Sequence, residues 1–165
     1  DDTKLHQLAL NSGYVEKALR YLHALQLMIF IIRPAALAAA ARFTREELDE
    51  LADRFTSPGS VHLADILEAI LKHTTLEPLY VILSETNHLL EWGHHFAYYP
   101  SKRHTLSHLN KKAITALRQL YEGNASSFAD GMADCYRYIL ICMKKNMVEK
   151  YKFHNVANIR VPEKY

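Results

Sequence analysis

The chain has few residues that break helices, since only five glycines and five prolines occur among its 165 residues. A turn-rich β fold uses both residues more heavily, so their scarcity favours helices. Cysteine is also scarce. Cys135 and Cys142 lie seven positions apart on one predicted helix, which separates their Cα atoms by roughly 10 Å and excludes a disulfide between them. We therefore expect a reduced, cytoplasmic protein.

A strong charge imbalance is missing as well, because the net charge of +2 is too small to indicate nucleic-acid binding by itself. The chain contains no Gly-rich phosphate loop, nucleophile elbow or Cys-x-x-Cys motif, so its residues alone do not demand an enzyme. The opening Asp1-Asp2 does not fit a signal peptide. Arg33 and Pro34 interrupt the apolar run 24–41, which favours a buried helix over a membrane span.

What the chain does contain is helical periodicity, which predicts an all-helical single domain over residues 1–165. Thr44 and Glu47 have the spacing of a capping box, Thr75 is a further candidate cap, and Gly123 marks a helix end. We predict helical segments at about 3–10, 14–42, 44–54, 60–73, 75–99, 101–121 and 125–152.

Helical phase separates the predicted buried faces from the exposed ones. On the segment 75–99 we expect Ile82, Leu83 and Leu90 to be buried. Polar groups on or beside such a stripe need hydrogen-bond partners, which can be each other, water or a ligand. These polar residues are Thr86, Asn87, His94, Arg103, Asn110, Tyr136 and Asn146.

Ten histidines make a metal site a hypothesis to weigh. His104 and His108 have the i, i+4 spacing that places two imidazoles on one ion. They lie opposite the predicted buried stripe of their helix, however, so a solvated face is the preferred interpretation. Adjacent helical residues diverge by about 100°, which sends His94 inward and His95 outward. No metal is predicted, and a metal-dependent helical-bundle enzyme is kept as an alternative.

Four strings follow one another over about residues 28–147. The first is Ile32-Arg33-Pro34 with an alanine-rich run before Arg42-Phe43-Thr44-Arg45-Glu46-Glu47-Leu48. The others are Leu76-Glu77-Pro78-Leu79-Tyr80, then Gly93 to Arg103, then Met143-Lys144-Lys145-Asn146-Met147. Their order and spacing resemble the effector-binding domain of GntR-type bacterial transcription regulators, most closely the FadR branch.

The resemblance implies an all-α, antiparallel helical bundle of about six to seven helices around a ligand cavity. Such a domain would sense a fatty acid, acyl-CoA or similar small amphipathic acid, and the ligand would shift a homodimer between DNA-binding and non-binding states. DNA would be contacted only through an N-terminal winged helix, which does not precede Asp1, so we expect either an isolated effector domain or a product that lacks its DNA-reading half. The metal set of many relatives is largely absent, because Pro58, Asn110 and Cys135 stand in its Asp and His places.

We predict Arg33, His94 and Arg103 as anion partners, since cations and neutral imidazoles hydrogen-bond carboxylates. Asn87, Asn110 and Tyr136 are predicted to orient the ligand. No catalytic residue, metal or cofactor is predicted, and no membrane contact. A further alternative is a helical protein-interaction module without a ligand, which would expose a large apolar patch.

Overall fold

A computed structural model describes residues 12–56, 62–95 and 102–163, with side chains described at 16–56, 62–91 and 104–163. Over these residues the chain is helical and contains no strand, which confirms the predicted fold class. The α-helices are α1 Ser12–Ala40, α2 Arg45–Arg54, α3 His62–Lys72, α4 Glu77–His95, α5 Lys102–Tyr121 and α6 Ala125–Glu149. The helix predicted at about 3–10 lies outside the described residues.

The start of α2 confirms the predicted capping box. The Glu47 N–H donates to Thr44 Oγ1 at 3.2 Å, and the Thr44 N–H donates to the Glu47 carboxylate at 3.4 Å. Glu47 also lies 2.5 Å from Nε2 of His73, just beyond α3. The hydrogen bond with His73 is the main reason why the pKa of Glu47 is lowered. This one carboxylate therefore caps α2 and joins it to the end of α3.

The long helix α1 packs against α4 and α6 and supplies much of the core. The ring of Phe43, just after α1, meets the ring of Phe128 near the start of α6, with 6.3 Å between centroids. Earlier in α1, the Gln26 side chain donates to the carbonyl of Arg160, in the tail that follows α6. The end of α1 thus lies beside the start of α6, so the two helices run antiparallel.

The segment Glu16–Ala40 of α1 is long and apolar enough to cross a membrane by length and composition. Half of its most apolar window is buried inside the chain, as in a core helix of a soluble protein. One such helix is weak support for a membrane span. The predicted cytoplasmic location stays a prediction.

The helices α5 and α6 form a tight antiparallel hairpin. Gly123 makes the turn between them with a φ of 86°, in the region that favours glycine. Two turns into α6, Gly131 lies against Ala116 so closely that a Cβ on Gly131 would stand 2.8 Å from the Ala116 Cβ. The missing side chain of Gly131 therefore permits the close approach of the two helices.

Three local predictions are wrong. Ile82 is 45% exposed, because α4 turns only one face, which includes Leu83 and Leu90, towards the core. The helix α4 begins at Glu77, so Thr75 is not its cap. The helix α6 ends at Glu149 instead of about 152, and Lys152 reverses the chain with a φ of 58°. The tail then packs back on the bundle through the buried residues Tyr151, Phe153, Val156 and Ile159.

Candidate functional site

Arg33, a predicted anion partner, contacts a carboxylate of the chain itself. Its Nε donates to Oδ1 of Asp130 on α6 at 2.8 Å, and its Nη2 lies 3.5 Å from the Ser126 hydroxyl. The Arg33 side chain is 27% exposed. An acidic ligand at this position would have to share the Arg33 guanidinium with the Asp130 carboxylate or displace that carboxylate.

Asn110, predicted to orient a ligand, faces the first turn of α3. Its Oδ1 accepts a hydrogen bond from the backbone N–H of His62 at 3.4 Å. The His62 ring is buried and meets the ring of Phe55 edge-on, with 4.4 Å between centroids. Burial lowers the pKa of His62, against an opposing effect of Asp65, so the buried imidazole is neutral at pH 7. Asn110 thus helps to join α5 to α3.

The remaining predicted ligand residues lie on three helices. Tyr136 is buried in the α6 side of the core, and Asn87 is half-buried on α4. His94 lies in the last turn of α4 and Arg103 at the start of α5, but both side chains lie outside the described residues. Arg33 belongs to the α1–α6 contact and Asn110 to the α3–α5 contact. These two residues therefore serve different helix pairs.

Asn146 on α6 is a polar residue that the predicted ligand set did not include. Asn146 is 5% exposed, and Met143 and Met147 of the same helix are fully buried. The amide Nδ2 is buried and has no hydrogen-bond partner among the described atoms. An unpaired buried donor of this kind costs about 1–3 kcal/mol. Its position on an apolar stripe is visible in the sequence, whereas its lack of a partner is not.

The histidine pair of α5 lies on the exposed side of the helix, as predicted. His104 and His108 are both exposed, and their ring centroids are 4.4 Å apart. The described residues contain no group of three or more His, Cys, Asp or Glu side chains that could hold a metal ion. This pair alone offers two of the three or four protein ligands that a zinc site uses.

Neither cysteine has the environment of a nucleophile. Burial raises the pKa of Cys135 to about 12. Burial also raises the pKa of Cys142, which is partly buried beside Tyr138. Nucleophilic and metal-binding cysteines react as thiolates, which a raised pKa disfavours. Both residues therefore act as apolar packing groups.

No protein-family model matches this chain, and no curated protein or solved structure matches it either. The resemblance to GntR-type regulators therefore stays a prediction that depends on its four strings.

A groove of about 550 Å³ runs along the surface where α5 packs against α6. Its α5 wall repeats polar residues on one helix face, namely His108, Lys111, Lys112, Thr115 and Gln119. Its α6 wall carries Ser127, Asp130, Gly131 and Asp134. The helical phase of α5 places Lys112 beside the buried stripe and Lys111 on the exposed side of the helix, about opposite that stripe.

Large apolar side chains are exposed mainly on the neighbouring helices α1 and α4. Seven of the ten such residues in the described part of the chain lie on these two helices. They are Leu27, Phe30 and Leu37 on α1 and Tyr80, Val81, Ile82 and Leu89 on α4, which together we call the α1–α4 face. Phe30, at 54% exposure, is the most exposed aromatic residue among them.

Proposed function

We propose that this chain is a helical protein-interaction domain that forms a homodimer through the α1–α4 face. The observation that supports the proposal is the concentration of exposed apolar side chains on two adjacent helices. Large exposed apolar patches on water-soluble monomers commonly mark binding sites. Aromatic residues such as Phe30 dominate the binding energy of protein interfaces.

The charge distribution on α1 favours a second copy as the partner. Between His23 and Arg42 the only charged residue of α1 is Arg33, and its guanidinium is paired with Asp130. A two-fold dimer brings the same patch of both subunits together. The α1 part of the face can therefore meet its own copy without like-charge repulsion. The α4 part carries one exposed acid, Glu85, among Val81, Ile82 and Leu89.

We expect Phe30→Asp to weaken self-association at least about thirtyfold, because it buries a charge where an aromatic residue supplied about 2 kcal/mol or more. Sedimentation equilibrium over a wide concentration range measures the dissociation constant. The matched control is Ile141→Asp, since Ile141 is similarly exposed, at 50% against 54% for Phe30, but lies on α6. A native chain that stays monomeric throughout, or an equal effect of the two changes, would reject the dimer face.

A second candidate function is the ligand-sensing domain of a FadR-like regulator, binding a fatty acid or similar small amphipathic acid. Asn146 favours it, because its buried Nδ2 lacks an acceptor among the described atoms and the nearby Met143 and Met147 of the same helix are fully buried. A carboxylate or carbonyl oxygen is the kind of atom that this donor requires. In that function, DNA contact would belong to a winged-helix domain outside this chain.

We expect Asn146→Leu to raise the free energy of unfolding by about 1–3 kcal/mol, because leucine removes the unpaired buried amide at similar volume. Urea denaturation measures the change. Asn110→Leu is the control with the opposite sign, since it leaves the His62 N–H without its acceptor. If Asn146 binds a fatty acid, decanoate should raise the melting temperature of the native chain and leave that of the Asn146→Leu variant unchanged. Destabilisation by Asn146→Leu would mean that Asn146 is already satisfied, and the sensor proposal would lose its support.

A further inference from the structure

We propose that the groove between α5 and α6 binds a small molecule that carries a phosphate group, through Lys111 and Lys112. This site is separate from the α1–α4 face, so it does not depend on the proposed dimer. The two lysines lie one turn before Thr115 and one turn after His108 on the same wall. The volume of about 550 Å³ is that of a small-ligand site.

The carboxylates of the opposite wall are already neutralised. Asp130 is paired with Arg33 at 2.8 Å, and Asp134 accepts a hydrogen bond from Nη1 of Arg137. Neither arginine is part of the groove lining. The Nε of Arg137 also donates to the carbonyl of Pro162, which holds the guanidinium in place from the tail side. Two arginines therefore compensate the two negative charges of the α6 wall of the groove.

The positive charges of the α5 wall have no such compensation. Lys111 and Lys112 are exposed, and none of the ion pairs in the described part of the chain includes either of them. The ammonium of Lys112 lies 5.5 Å from the centroid of the Tyr138 ring, whose face favours a cation nearby. The net field in the groove is thus positive, and an anion is the complementary ligand.

Phosphate is favoured among anions because its oxygens accept several hydrogen bonds and each lysine offers three donors. The ring of His108 lies 6.2 Å from that of Tyr138, so an imidazole and a phenol border the lysine pair. A nucleic-acid strand fits less well. Its repeated phosphates would run past the Asp130 and Asp134 carboxylates, and two lysines neutralise too few phosphates for tight polymer binding.

Pyrophosphate and inorganic phosphate are the probes, followed in 50 mM salt by amide chemical shifts of the whole chain. We expect a saturable response centred on Lys111 and Lys112. The double change Lys111→Glu/Lys112→Glu should weaken pyrophosphate binding about a hundredfold, since each charge-assisted contact contributes about a factor of ten. If the charge reversal disturbs folding, the milder Lys111→Gln/Lys112→Gln change takes its place. This change should also weaken pyrophosphate binding.

Lys72→Glu/Lys145→Glu is the matched control, because both of these lysines are exposed, lie outside the groove and change the net charge equally. Its pyrophosphate affinity should stay within about twofold of the native value. An equal loss of pyrophosphate affinity in the two double variants would show that binding responds only to net charge, and it would overturn the proposed site. So would the absence of saturable shifts at α5, or binding of a short DNA duplex more tightly than pyrophosphate with the same lysine dependence.

Discussion

Replacing Phe128 by alanine is expected to lower the free energy of unfolding by about 3–5 kcal/mol, the usual cost of removing a buried phenylalanine ring. Phe128 is 0% exposed and lies near the start of α6. Its ring meets that of Phe43, which in turn lies 5.0 Å from the His73 ring between centroids. The side chain therefore fills the place where α6 meets the ends of α1 and α3. The alanine variant would leave a cavity that three helices have to close.

Urea denaturation followed by circular dichroism measures this loss. Phe30→Ala is the matched control, since it removes the same ring from a position that is 54% exposed on α1. We expect a smaller cost there, about 1–2 kcal/mol, because about half of that side chain stays in water when one chain folds. Similar losses at the two positions would contradict the assignment of Phe128 to the core and of Phe30 to the surface.

Gly131→Val is expected to cost about 3 kcal/mol through overpacking between α5 and α6. Even the first carbon of a side chain would stand 2.8 Å from Ala116 Cβ and 3.3 Å from Ala116 Cα. The Cα belongs to the backbone of α5, so the contact is relieved only by moving a helix. Gly131→Ala should cost less, about 1 kcal/mol, because the gain in helix propensity offsets part of the same contact.

Moving the methyl group from position 116 to position 131 tests whether this contact causes the loss of stability. Ala116→Gly removes the group that meets the new Cβ, so Gly131→Ala should be far less harmful in that background. We expect a coupling of about 1–2 kcal/mol between the two positions in a double-mutant cycle measured by urea denaturation. Strictly additive changes would mean that Gly131 matters through backbone entropy alone and that its contact with Ala116 is unimportant.

The helices themselves follow from local signals that the sequence carries. The Thr44–Glu47 capping box and Gly123 act within a few residues of their position, so their effect is readable along the chain. The buried stripe of α6 follows in the same way. Phe128, Met132, Cys135, Ile139, Met143 and Asn146 are all buried, because the period of an α-helix sorts them onto one face.

A neighbouring helix decides the surroundings of some residues. Ile82 has the hydrophobicity of a core residue, but it is exposed because nothing in the described part of the chain covers that flank of α4. Arg33 has the chemistry of an anion partner, and Asp130 on a distant part of the chain provides the anion. Neither outcome has a local signal, since each depends on which helix packs beside which.

The sequence by itself determined an all-helical chain, most helix ends and the residues that each helix turns inward. Only the tertiary structure decided which surfaces and buried groups are available to bind a partner or a ligand. It brings the lysine pair of α5 opposite two carboxylates that Arg33 and Arg137 neutralise, leaves the Asn146 amide without a partner, and gathers exposed apolar residues on α1 and α4. The physical reason is the sequence separation over which each effect acts. Periodicity, capping and the Asp134–Arg137 pair act within one or two helical turns. The Arg33–Asp130 pair joins residues 97 positions apart, and burial depends on which helices pack together.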